Sequence, residues 1–357
     1  MTQAAERAYT VPFGRGEIVF RLPAGMTGAV VASNDLPPLP DPAAAAHAAV
    51  AAPVAGPRLR DLARGAKSVC IAVTDATRAC PDYLLAPPLL AELHAAGVPD
   101  GGITFLVAVG AHRASTDAEK RAKLGDAIVD RYRVVDHDAG DDAALVAVMD
   151  GPGGIPFRIN RALVEADLAL ATGVVEPHQY AGYSGGAKTA TIGCGDETTI
   201  AYTHGPAMLD LPGTRLARID GNPFQQAVRR VGAAAGLAFV GNAVLDDHGR
   251  PVAIAYGPPD AVHDELAALA GRLYTAPIPA QVDVAVAGVG YPKDANLYQA
   301  SRAASYLQFA PTPVVRPGGA IVLPALCPEG AGEGVGERRF LAAMSAAGGP
   351  AAVIERA

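Results

Sequence analysis

Short β-branched apolar runs alternate along this chain with alanine- and leucine-rich stretches of helical length, and that alternation leaves few architectures open. The runs SVCIAVTD (68–75), ITFLVAVG (103–110), YRVVDH (132–137), DLALATGVV (167–175), LAFVGNAVL (237–245), VDVAVAGV (282–289) and AIVLPAL (320–326) read as strands. Between them, 83–97, 115–125, 222–236, 260–274 and 295–309 read as helices, and the Pro-flanked, alanine-rich stretch 36–57 as a further one. Strands of continuous apolar character separated by helices predict parallel sheets covered on both faces. The expected class is α/β, with two Rossmann-like domains, mostly parallel sheets and the active site in the cleft between them. A turn with two prolines at 272–283 suggests the division: residues 1–275 and residues 276–357, the second thin for a whole domain. No internal repeat appears.

At 357 residues, 50% hydrophobic and 18% charged, the chain can bury a large core. A net charge of −7 argues against nucleic acid or an anionic membrane surface as the main partner. No apolar stretch reaches the roughly 18–20 residues of a membrane span, and the N-terminus lacks the pattern of a secretory signal. The four cysteines are scattered with no CxxC pair, which suits reduced thiols and a cytoplasmic location.

In open α/β sheets, ligands bind beyond the carboxyl ends of the strands, and the unusual polar residues sit there. Asp75 and Arg78 follow the first strand, His112 and Arg113 the second. Glu176, His178 and Lys188 follow the fourth; Tyr291, Tyr298, Gln299 and Arg302 follow the sixth. Each has a bland reading. A lone histidine is more often a core or surface residue, Arg78 can pair with Asp75, and Gln299 and Arg302, three apart on a helix, can face solvent. The constellation is what points to a site. His47, His94, His137, His248 and His263 lie on helices or charged turns and read as structural.

The glycine loop GYSGGAKT (182–189) nearly matches the phosphate-cradling pattern G-x-x-x-x-G-K-[ST], but Ala187 stands where the last glycine belongs. A nucleoside triphosphatase is thus a weak alternative, although Ser184, Gly185 and Gly186 can still hold one phosphate through amides and a hydroxyl. Lys188 is more informative. Of the 29 basic residues only five are lysines, so positive charge alone would have been written as arginine. An amine that can lose its proton can attack a carbonyl or thioacid and stay attached, which a guanidinium cannot. His204 suits a metal through an imidazole nitrogen. No cluster of His, Cys and carboxylate surrounds it, so most other ligands of such a metal would come from outside the protein.

At these residues the chain resembles the nickel-dependent lactate racemase family over roughly residues 10–355. The carriers are TDATRACP (74–81), GAHRAST (110–116), EPHQYAGYSGGAK (176–188), His204 and GYPKDANLYQ (290–299). The resemblance implies a nickel pincer nucleotide, a pyridinium mononucleotide with sulfur-bearing arms, covalently attached at Lys188, with His204 as the protein ligand of the metal. It implies His112 and His178 as acid/base pair, Arg78 as the substrate-orienting arginine, and Tyr298 and Gln299 at active-site positions. Asp75 and the loop residues Ser184, Gly185 and Gly186 are expected on the cofactor, Gln299 and Arg302 on the substrate. Arg302 falls where the lactate enzymes carry lysine, and Ala76 where they often carry histidine. The chain also ends earlier than typical members, so some C-terminal parts are expected to be absent.

The implied reaction is racemisation or epimerisation of a 2-hydroxy acid by reversible removal of the C2 hydrogen as hydride. One histidine takes the hydroxyl proton and the other returns it. Expected partners are the small-molecule acid and the proteins that make the cofactor. The rival reading is a non-catalytic or differently acting relative that binds a nucleotide or small acid.

Overall fold

The structure, a computed structural model, describes residues 7–310, 312–346 and 348–354. An N-terminal antiparallel hairpin, β1 (Ala8–Phe13) and β2 (Gly16–Arg21), precedes the main body. The main strands are β3 (Val69–Thr74), β4 (Ile103–Ala108) and β5 (Arg133–Asp136). After a second hairpin, β6 (Leu145–Asp150) with β7 (Pro156–Asn160), the sheet continues with β8 (Leu168–Val174). A two-residue pair, β9 (Pro177–His178) and β10 (Gly182–Tyr183), is followed by β11 (Leu237–Leu245) and β12 (Pro251–Gly257).

Six of these form one sheet in the order β12-β11-β8-β3-β4-β5. It is parallel throughout except for β12, which returns antiparallel on β11. Every residue of β3 and β8 is buried, and the alternation of the pleat splits them between two cores. Cys70 and Ala72 face one core with helices Pro223–Ala234 and Pro259–Tyr274. Val69, Ile71 and Val73 face the other, with Leu85, Leu89 and Leu93 of helix Asp82–Ala95. Each such aliphatic side chain stabilises the fold by roughly 1.5–3 kcal/mol on full burial. That two-sided burial is why these strands carry no polar alternation in sequence.

Of the α/β architecture expected, the mainly parallel central sheet is present among the described residues. Beyond residue 275 the described residues form β13 (Val282–Val286) and β14 (Val315–Val322), a two-stranded parallel pair with largely exposed faces. The supported class is a mixed α/β fold with a mainly parallel central sheet. The strand expected at 320–326 sits earlier, and the helix expected at 295–309 is two, Leu297–Ala300 and Arg302–Gln308. The stretch 36–57 does carry a helix, Pro42–Ala51, started by Asp41 accepting from the amide of Ala44. Among the described residues no helix is long and apolar enough to cross a membrane.

Candidate active site

Beyond the carboxyl ends of β3, β4 and β8 lies a cavity of about 830 Å³. Asp75, Arg78, His112, His178, Ser184, Gly185, Lys188, His204, Tyr298 and Arg302 all line it. Gln299 lies behind this wall, buried and bonded to two of its members. Gly186 faces away: its amide donates to Asn242 Oδ1 at 2.7 Å. Ser184 spends its hydroxyl on the carbonyl of Val174 at 2.7 Å and its amide on that of Glu176 at 2.9 Å. The glycine loop is therefore tied to its own strand end before any ligand arrives.

One chain of hydrogen bonds fixes His112. Its Nδ1–H donates to Asp75 Oδ2 at 2.5 Å, and Asp75 Oδ1 also accepts from the amide and hydroxyl of Thr77. Burial pushes the Asp75 carboxyl up, but the charge and hydrogen bond of His112, with Arg78 behind, outweigh it and hold it well below the usual range. On the other ring nitrogen, Gln299 Nε2–H donates to His112 Nε2 at 3.0 Å. Arg78 Nη1 donates to Gln299 Oε1 at 3.4 Å, and a guanidinium has no acceptor, so the amide can face only this way. In this arrangement His112 donates through Nδ1 and accepts through Nε2.

His178 is held in the opposite tautomer. Its Nδ1 accepts from the amides of Tyr180 and Ala181 at 3.3 and 3.1 Å, so the ring proton sits on Nε2. Burial drives its pKa well below the ordinary value, and the charges of Lys188 and Arg302 add to this. The strand pair β9–β10 sets the ring in place, with Gly182 opposite His178. Gly182 has φ of +79°, and a Cβ there would sit 1.9 Å from the carbonyl of Arg218, so this turn requires glycine.

His204 closes the helix Glu197–His204. Its Nδ1–H donates to the carbonyl of Ile200 at 3.1 Å, leaving Nε2 with a lone pair. Phe224 packs edge-on at 5.0 Å and Tyr180 at 6.1 Å. Burial, then the charge of Lys188, bring its pKa down to about 3. A neutral imidazole whose far nitrogen is anchored to a backbone carbonyl has the arrangement of a metal-binding histidine. Among the described residues no group of three or more His, Cys, Asp and Glu could hold a metal alone.

Lys188 opens the short helix Lys188–Thr191 at the end of the glycine loop. Burial, followed by the charges of Arg78 and Arg302, brings its amine down to about 7. An ordinary lysine is neutral in only roughly one molecule in a few thousand at pH 7. Here the nucleophilic form is abundant. The Arg302 guanidinium lies 5.3 Å over the Tyr298 ring, which itself meets His112 edge-on at 6.4 Å.

Three groups were not singled out in sequence. Lys293 Nζ reaches Glu176 Oε2 at 2.9 Å and ties the segment after β13 to the end of β8. Lys123 enters beneath the Arg78 loop. Glu337, buried on the helix Val335–Met344, comes within 3.9 Å of His112. The pairs lie 117, 45 and 225 positions apart, too far for any local pattern to join them, although the alternating glycines of GAGEGVGE before Glu337 were a visible signal.

A family model described as the lactate racemase N-terminal domain matches residues 13–216. The lactate racemase of Thermoanaerobacterium thermosaccharolyticum is 30% identical over 339 residues, 90% of this chain and 75% of that protein. That of Lactiplantibacillus plantarum is 33% identical over 249 residues, 70% of this chain and 58% of the relative. The chain thus spans under two thirds of the Lactiplantibacillus protein in the matched region. The structure of the T. thermosaccharolyticum lactate racemase apoprotein is similar with a TM-score of 0.80 at 28% identity, covering 92% of this chain and 76% of that one. A Thermotoga maritima crystal structure, 23% identical with a TM-score of 0.62, covers 74% of this chain and 69% of its own and shares the fold.

Proposed function

The chain belongs to the lactate racemase family, and from that premise we propose that it racemises or epimerises a 2-hydroxy acid by taking the C2 hydrogen away as hydride and returning it to the opposite face. The observation that carries this reading is the pair of histidines presented to one cavity in complementary tautomers. His112 Nε2 offers a lone pair for the hydroxyl proton, and His178 offers an Nε2–H to the oxygen.

The residues fit a nickel pincer nucleotide. Lys188 supplies an amine neutral enough to form the covalent tether, and His204 supplies a free Nε2 for the metal in the same cavity. Bound there, the nucleotide would supply an electrophilic ring able to accept a hydride and give it back. Asp75, Ser184, Gly185, Gly186 and Tyr298 belong to its proposed surroundings, although Gly186 and the Ser184 hydroxyl act by holding the loop and not by direct contact.

Arg78, with Gln299 already on it, receives the substrate carboxylate, and Arg302 adds a second cation beside it. His112 takes the hydroxyl proton, and Asp75 stabilises the imidazolium so formed. Rotation of the planar keto acid turns its oxygen from one histidine toward the other. For His178 to act as base on the opposite enantiomer, its ring proton must first move from Nε2 to Nδ1, leaving the lone pair on Nε2. Its Nδ1 is pinned by two backbone amides, so that step is the costlier one. In this reading residues 1–275 carry the tether, the metal ligand and both histidines, and residues 276–357 supply Tyr298, Gln299 and Arg302.

The test is intact-protein mass after co-expression with the proteins that make the cofactor. An adduct present in the parent and lost in Lys188→Ala is expected, together with inversion of at least one enantiopure 2-hydroxy acid. An unmodified mass and unchanged configuration across the panel would count against the whole reading, as would solvent deuterium appearing at C2 during turnover.

A further inference from the structure

Glu337 stands in the first turn of the helix Val335–Met344, its side chain 3% exposed. Among the described residues its Oε2 has no hydrogen-bond partner, and its Oε1 lies 3.9 Å from His112 Nε2. An ionisable group buried and left half-satisfied is costly and asks for a reason.

The local backbone is shaped to bring it there. Four of the seven residues from Gly330 to Gly336 are glycine. A Cβ on Gly334 would fall 2.2 Å from Glu337 Oε2 and 2.8 Å from His112 Cα, and one on Gly332 would fall 2.2 Å from Glu337 Cγ. Gly336 N–H then donates to the carbonyl of Ala111 at 3.2 Å, closing the helix start onto the His112 segment. Side chains at either glycine would force this carboxylate away from the ring.

The surroundings of His112 define what such a carboxylate can do. Asp75 faces Nδ1 from the end of β3; Gln299 and Tyr298 face the ring from the helix Leu297–Ala300, with Arg78 behind Gln299. On its own segment Arg113 is paired with Glu119 and Glu329. At rest, Nε2 accepts from Gln299. Once Nε2 gains a proton, the Gln299 amide confronts it donor to donor. Apart from the substrate oxygen, Glu337 is the acceptor standing there.

We propose that Glu337 is a positioning residue for His112, a second carboxylate that accepts the Nε2–H formed when the histidine takes a proton from the substrate hydroxyl. The substrate O–H bond breaks and an Nε2–H bond forms; imidazole becomes imidazolium between the side chains of Asp75 and Glu337. When the proton returns to the substrate oxygen, Gln299 resumes its bond to Nε2. The catalytic part rests on the acid/base role of His112 proposed above; the pairing of Glu337 with His112 does not.

The experiment is a ring-nitrogen NMR titration of His112 in histidine-labelled, nickel-free protein, with the resonance assigned by its loss in His112→Gln. Removing an opposite charge at this range should lower the His112 midpoint by about one pH unit or more in Glu337→Gln. Glu337→Asp, which keeps the charge, should recover most of that shift. An unchanged midpoint in Glu337→Gln overturns the proposal. Should that variant not fold, Glu337→Met or Glu337→Ser is read the same way. In the loaded enzyme kcat should fall about tenfold with KM within a factor of two, the scale of one supporting interaction in proton transfer. A midpoint that moves in a protein that inverts no acid would sink the racemase reading and leave the pairing standing.

Discussion

Lys123 Nζ lies 2.7 Å from Asp82 Oδ2 and also donates to the carbonyls of Arg78 and Cys80 at 3.1 and 2.6 Å. Asp82 is fully buried and accepts in addition from the hydroxyls of Thr74 and Thr172. One ammonium thus ties the loop carrying Asp75 and Arg78 to the start of the helix Asp82–Ala95. Lys123→Met leaves that carboxylate buried without its countercharge, at a cost of about 3–5 kcal/mol. Urea denaturation at pH 7 should record this loss. A variant as stable as the parent would remove the pair from the account of how Arg78 is held.

The lowered amine of Lys188 carries its own sign. Its folded pKa, about 7, lies below the unfolded value of about 10.4, so between these limits the unfolded chain binds more protons. Stability contributed by this group therefore rises with pH from about 7 to about 10 and is absent below that window. Competitive labelling of the nickel-free protein with an amine-specific reagent should show Lys188 reacting with a midpoint near pH 7. Arg302→Gln removes one of the charges that lower it, so the midpoint should move upward. A midpoint at the ordinary lysine value in the parent would contradict both statements.

The central sheet was legible because both its faces are buried, which writes β3, β4, β8 and β11 as unbroken apolar runs. β12 and the hairpin β6–β7 were not, because PVAIAYG at a sheet edge and LVAVMD half in solvent carry mixed signals that only their partners resolve. The family was legible from EPHQYAGYSGGAK and His204, and the match over residues 13–216 bears it out. The residues gathered round the cavity were visible one by one as polar groups after strands. Their tautomers were not, since these depend on Gln299 and on the amides of Tyr180 and Ala181. Glu337 and Lys123 escaped because a charged residue in a helical stretch reads as a solvated face until its burial is known.

The unequal tautomers predict unequal pH profiles of kcat for the two enantiomers of any substrate. The direction that begins at His112 should run on a base whose Nδ1–H is already held by Asp75. His112 serves in both directions, as base in one and acid in the other, so Asp75→Asn should lower kcat/KM for both enantiomers by the same factor, about 10²–10⁴-fold, the range of tautomer loss and general-base loss. It should also flatten the acid side of the stability curve. The depressed Asp75 carboxyl contributes stability present above about pH 4 and lost as pH falls through its folded value. Unchanged kcat/KM, with an unchanged acid limb of unfolding, would take Asp75 out of this role.

His204 gives the last test, because its fit to a metal rests on Nε2 being the free nitrogen. Its Nδ1–H is committed to Ile200, and Phe224 and Tyr180 hold the ring. With a pKa of about 3 it stays neutral through the whole working range, so metal retention through this ligand should not fall between pH 8 and pH 5. In protein co-expressed with the cofactor-making enzymes, elemental analysis should find nickel in the parent and a loss of tenfold or more in His204→Ala, while the mass adduct at Lys188 persists. Adduct and nickel lost together would mean that the histidine is needed for attachment. Equal nickel in mutant and parent would take His204 out of the metal site.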